Sequence, residues 1–116
     1  MNIPAVLLGI GVLLAFPRAT FAFNPHFIIS DTDLTNVQSM YTDAIQRFLD
    51  AKPGTLRTYR ATDLDGRVKT TAEIISRVAQ QFILNPRMIL VMLQKEQSLV
   101  TDPNPSPSQY DWATGY

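Results

Sequence analysis

Residues 85–100 read "NPRMILVMLQKEQSLV", and the fold turns on how this stretch is taken. Asn85 suits an N-cap and Pro86 suits the first position of a helix, so a helix starts there. The apolar run from Met88 to Leu93 covers most of its circumference, which predicts a buried central helix over about 86–100. "LQKEQSL" at 93–99 breaks that character. At about 100° per residue, Ile89, Met92, Leu93, Leu99 and Val100 fall within about 60° of Glu96. Arg87, Gln94 and Ser98 gather on the opposite side, the natural solvent stripe, while Lys95 and Gln97 flank the apolar arc. Glu96 alone points inward. Apolar neighbours and the negative end of the helix dipole both favour the protonated acid, the form that can donate a proton. The bland alternative is a helix end that projects beyond the core, with Glu96 in water or paired with an arginine.

Upstream, Thr70 and Glu73 form a capping box, which gives that glutamate a structural task. Ala72, Ile75, Val78, Ala79 and Phe82 then make one apolar stripe, and the short link at "LNP" predicts an αα pair with the central helix. In "SMYTDAIQRFLDAK", Tyr41, Ala44, Ile45, Phe48 and Leu49 recur at helical spacing, and Pro53-Gly54 stops the helix. "TLRTYRATDLDGRVK" fits a short hairpin around Asp65-Gly66 or an irregular loop. Its "DLDG" echoes a calcium loop, but the first and last ligand positions would fall on Ala61 and Ala72, so no metal is expected. "SDTDLTN" can start a short helix near Asp31 or Asp33. Before it, "FNPHFIIS" reads as an extended arm whose Phe27, Ile28 and Ile29 can pack across the helical body.

The 116 residues allow one small domain. Ten basic and ten acidic residues cancel, so no global field points to nucleic acid or to an anionic membrane. There is no cysteine and one histidine, His26, which argues against thiolate or histidine metal sites and against a Ser-His-Asp triad. Ser98 lacks a base, and His26 reads as surface or arm packing. "AVLLGIGVLLAF" has the length of a signal h-region, and "PRATFA" places Thr20 and Ala22 as a cleavage site. Residues 1–22 therefore read as a cleaved signal peptide, ahead of an uncleaved anchor or a buried helix. No stable membrane insertion is expected after cleavage. Residues 23–102 read as a helical domain, and 103–116 as a Pro-rich loop leading into the start of a cleft segment that the chain leaves unfinished.

With these residues in view, "NPRMILVMLQKEQSLV" resembles the central helix of lysozyme-like lytic transglycosylases and goose-type lysozymes. There a proline-started buried helix leads to a glutamate and then a serine, whereas here Gln97 stands between Glu96 and Ser98. "WATGY" at 112–116 resembles the opening of the family's glycine-rich cleft segment. The resemblance implies a mainly α, lysozyme-like helical lobe and an extracytoplasmic enzyme that cleaves the glycan strands of peptidoglycan. It puts the general acid/base on Glu96 and requires no cofactor. Tyr110, Trp112 and Tyr116 could stack on sugar rings, each offering a flat face with a polar edge; for Trp112, packing onto the helical core is the alternative. Asp102 and Asp111 are the carboxylates nearest in sequence for a second catalytic group. Asp102 is expected to cap the turn before Pro103, and Asp111 to be loop surface. The rival reading is a non-catalytic exported helical module that binds cell-wall glycan or a protein partner.

Overall fold

The computed structural model describes residues 28–115. The elements run α1 (Asp31–Leu34), α2 (Thr42–Asp50), a 3-10 turn (Thr55–Arg57), β1 (Arg60–Thr62), β2 (Val68–Thr70), α3 (Thr71–Phe82), α4 (Pro86–Gln97) and α5 (Pro107–Asp111). The chain is mainly α with one two-stranded antiparallel hairpin among the described residues. The signal-like segment 1–22, the arm residues His26 and Phe27, and Tyr116 lie outside the described residues. Ile28, expected to pack on the helical body, is 90% exposed. No helix among the described residues is long and apolar enough to cross a membrane.

One core joins α2, the 3-10 turn, α3 and α4. Ile45 and Leu49 project from one face of α2, Leu56 from the 3-10 turn, and Ala72 and Ile75 from α3. Leu90 of α4 closes it together with Leu99 and Val100, which follow that helix. Ile45 and Leu49 are four residues apart and so share a helix face, which is why the stripe in "DAIQRFL" was readable as helix.

The hairpin pairs Arg60 with Thr70 and Thr62 with Val68. Gly66 takes φ +80°, a left-handed conformation that glycine adopts without steric penalty, and this closes the turn. Beneath it the Asp63 carboxylate is buried and accepts from Arg77 Nε at 2.7 Å and Lys69 Nζ at 2.9 Å. Lys69 also reaches Asp65 at 3.1 Å. The acids that echoed a calcium loop are thus committed to cations of the hairpin and α3.

Arg77 first, and Lys69 second, hold the Asp63 carboxyl well below the usual carboxylate range. A depressed folded value means that the unfolded chain takes up the proton first. The contribution of Asp63 to stability is therefore complete above about pH 4 and is lost as the pH falls through the lowered folded value. Urea unfolding at a series of pH values should show Asp63→Asn less stable than wild type at pH 7. The gap should narrow as the pH drops below about 4. A gap that stays constant down to pH 2 would refute this assignment.

α3 begins as the capping box requires. Thr70 Oγ1 accepts from the Glu73 amide at 3.2 Å, and Glu73 Oε1 accepts from the Thr70 amide at 3.4 Å. Ala72, Ile75 and Ala79 are buried as the stripe predicted, but Phe82 is 62% exposed. The last turn of α3 runs past the core, and the helix ends on Ile83 in the left-handed region at φ 53°. A β-branched residue is poorly suited to that conformation. Ile83 is also 61% exposed, so it buries little. Ile83→Gly should raise stability by about 0.5–1 kcal/mol, the relief of left-handed strain less the entropy of a freer unfolded chain. Thermal unfolding would read this as a higher Tm; a lower one would show that Ile83 makes a contact worth more than its strain.

Asn85 caps α4 through the Arg87 amide at 2.9 Å and does more. Its amide nitrogen Nδ2 donates to the Asp33 carbonyl at 2.8 Å, its backbone N–H to Leu34 O at 2.7 Å, and Ser39 Oγ donates to its Oδ1. The cap thereby ties the α1 segment to the start of α4.

Two expectations for α4 change. The helix ends at Gln97, with Ser98 left-handed at φ 55°, rather than at Val100. Only Pro86 and Leu90 of α4 are buried, with Val91 at 55% exposure, so it lies against the core on one side only. The chain also does not lose regular structure after "DPNPSPS". Ser106 donates its amide to Gln109 Oε1 at 2.8 Å, Pro107 occupies the first turn, and α5 forms. "SPSQ" carries both signals of a helix start, a serine with glutamine three residues on and a proline at the first helical position.

Candidate functional site

The left-handed turn at Ser98 decides where Glu96 lies. Leu99 and Val100 are buried where the chain reverses rather than along a continued helix, so helical spacing does not set their place relative to Glu96. Glu96 keeps 34% of its side-chain exposure, and its Oε1 lies 3.2 Å from Lys95 Nζ. The desolvated apolar setting expected for it is replaced by a half-open one with a cation alongside.

Its position is nonetheless defined. Ile89 and Leu93 share a face of α4 and line a cavity of about 380 Å³. Glu96 stands one turn further along that same face. Leu56, Tyr59, Thr71, Ile75 and Val78 form other walls, and Ala113 and Thr114 close it from the C-terminal side. The next residue, Gly115, lies against the Glu96 carboxylate: a Cβ there would stand 2.8 Å from Oε2. Gly115 has φ +84°, a second reason for glycine at that point. The chain thus brings "ATG" back onto the α4 carboxylate from nineteen positions downstream, through α5.

Tyr110 anchors that return. Its ring stacks on Tyr59 with centroids 4.5 Å apart and planes 8° from parallel, and its hydroxyl is 2.6 Å from Thr55 Oγ1. One of its faces is therefore occupied by protein. Trp112 is 54% exposed. Tyr116 lies outside the described residues. Asp102 accepts from the Asn104 amide and from Gln109 Nε2, each at 2.9 Å, as a residue that shapes the turn before Pro103 does. Gln109 first, and the Asn104 amide second, lower its pKa. Asp111 is exposed. Among the described residues no His, Cys, Asp or Glu side chains cluster as a metal site.

The Tyr59–Tyr110 stack and the Glu96–Gly115 contact have no pattern of their own in the sequence. Both join residues far apart in the chain, and the only local signal for them was the "SPSQ" helix start that turns the chain back.

A family model described as LasA, N-terminal domain, matches residues 27–116. No curated protein and no solved structure matches the chain.

Proposed function

The chain belongs to the LasA N-terminal domain family, and from that premise we propose that it cleaves the glycan strands of peptidoglycan, with Glu96 as the single general acid/base. LasA is a secreted bacterial protein, which fits an extracytoplasmic domain that meets the cell wall. The resemblance of "NPRMILVMLQKEQSLV" to lysozyme-like enzymes supplies the reaction class. The observation that carries the reading is the seat of Glu96 at the end of α4, against Gly115 and in line with the cavity-lining face of Ile89 and Leu93.

In this reading Glu96 donates its proton to the leaving glycosidic oxygen as the bond from the muramic acid anomeric carbon breaks. The carboxylate left behind then takes a proton from the attacking hydroxyl. That hydroxyl belongs either to the same muramic acid, giving a 1,6-anhydro end, or to water, giving a reducing end. Both routes return Glu96 to its starting state. Trp112 lies close to this segment in sequence with an exposed indole, and it supplies a surface on which a sugar ring can stack. Tyr116 is assigned the same role. Tyr110 is assigned a sugar contact as well, and its stack on Tyr59 holds the segment in place.

The test is digestion of purified peptidoglycan by the protein and by its Glu96→Gln variant, with released fragments weighed by mass spectrometry. Release by the wild type alone supports the proposal, and equal release by both overturns it. Retention on the insoluble wall without any release would assign the protein as a non-catalytic binding module.

A further inference from the structure

α4 has a second exposed face, turned away from Glu96, and a groove of about 680 Å³ runs along it between α2 and α4. Its floor is apolar: Met40 and Phe48 on one side, Leu90, Val91 and Val100 on the other. Its rim is basic, with Lys52, Arg87 and Lys95, and no carboxylate lines it among the described residues. We propose that this groove is a docking site for an amphipathic helix of a protein partner, one that presents apolar side chains flanked by acidic residues.

The distribution of charge selects that occupant. Arg87, Val91 and Lys95 follow at intervals of four and so ride along one edge of α4. The two cations are eight residues apart, about 12 Å along the axis. Lys52 stands on the opposite wall, with its ammonium 4.8 Å from the centre of the Phe48 ring. Cations at both ends and on both walls match a ligand whose negative charges are spread along its length. An acidic helix offers that, with side chains that repeat every turn on either side of an apolar stripe. A single-headed anionic amphiphile places its whole charge at one end and would leave two of the three cations unmatched. Lys95 is partly satisfied by Glu96 at 3.2 Å, whereas Arg87 and Lys52 form no ion pair among the described residues. Those two are the cations to test.

The probe is a designed helical peptide with leucines on one face and glutamates along both borders. The controls are the same peptide with lysines in place of the glutamates, laurate, and vesicles of anionic phospholipid. Binding is followed by peptide fluorescence anisotropy and by the methyl resonances of Met40 and Val91. The glutamate peptide should bind, shift both methyls, and weaken about tenfold or more when Arg87 and Lys52 are both changed to Glu, because complementary charges become repulsive. It should also weaken at high salt. Arg87 is exposed, whereas Lys52 is half-buried with its ammonium over Phe48. The thermal transition of the double variant is therefore checked alongside, and Arg87→Glu alone, which should also weaken binding, separates lost charge from lost fold. Failure of the glutamate peptide to bind, equal binding of the lysine peptide, or preferential capture of laurate or vesicles overturns the proposal. The groove does not depend on the role of Glu96, so loss of one assignment leaves the other standing.

Discussion

Glu96→Gln should abolish release of soluble fragments from peptidoglycan, with a rate loss of about 10²–10⁴-fold, the range for removing a positioned general acid/base. The amide keeps the shape of the side chain but can neither give up a proton to the leaving oxygen nor accept one from the attacking hydroxyl. Its packing consequences are small. Glu96 keeps 34% exposure, and its one ion pair among the described residues is to the neighbouring Lys95, whose own side chain is 76% exposed. Exposed pairs of that kind contribute little to stability. The thermal transition of the variant should therefore match wild type while activity falls, and that separation distinguishes a chemical role from a structural one. A parallel drop in both would point to misfolding instead. Product masses then divide the two chemistries, since an anhydro end is lighter than a reducing end by one water.

The parts of this molecule that were legible in its sequence are those set by neighbours in the chain. The Thr70–Glu73 box, the Asn85-Pro86 start of α4 and the Ile45–Leu49 face each depend on residues within a few positions of one another, and each formed as read. The hairpin was legible as a possibility, and Gly66 in a left-handed turn settled it. Where helices stop was harder. A continuous apolar pattern through Leu99 and Val100 looked like one helix, because burial after a reversal and burial along a helix leave the same letters. Only the left-handed Ser98 separates them. The half-open setting of Glu96 is hidden in the sequence for the same reason. Its contact with Gly115 depends on α5 and on the Tyr59–Tyr110 stack, pairings that no local pattern encodes.

Gly54 was read as half of a "PG" helix stop, and its larger constraint is visible only in three dimensions. A Cβ on Gly54 would stand 2.4 Å from the carbonyl oxygen of Val100 and 2.7 Å from that of Leu99. These are backbone atoms, so no side-chain rotation relieves the clash. Two effects of opposite sign meet in Gly54→Ala. Gly54 has φ −71° and ψ 167°, a conformation open to any residue. Alanine would therefore stabilise by about 0.4–1 kcal/mol through the unfolded chain. Overpacking against fixed backbone costs about 3 kcal/mol, at the upper end of its usual range, and should win. The expected net loss of about 2 kcal/mol lowers Tm by roughly 8–16 °C for a domain of this size. Gly66→Ala is the informative contrast. Nothing lies within 4 Å of a Cβ at Gly66, but its φ is +80°, so the penalty there is conformational alone, about 1–2 kcal/mol. Asparagine, which tolerates the left-handed region, should recover part of the loss at Gly66 and none at Gly54. The Gly54 clash also falls where the chain leaves α4, directly after the turn that follows Glu96. Displacing Leu99 and Val100 moves the end of that helix, so Gly54→Ala should reduce peptidoglycan cleavage even below its melting temperature, whereas Gly66→Ala should leave it near wild type. A rise in Tm for Gly54→Ala would show that the approach of residues 99 and 100 to Gly54 is looser than the structure places it.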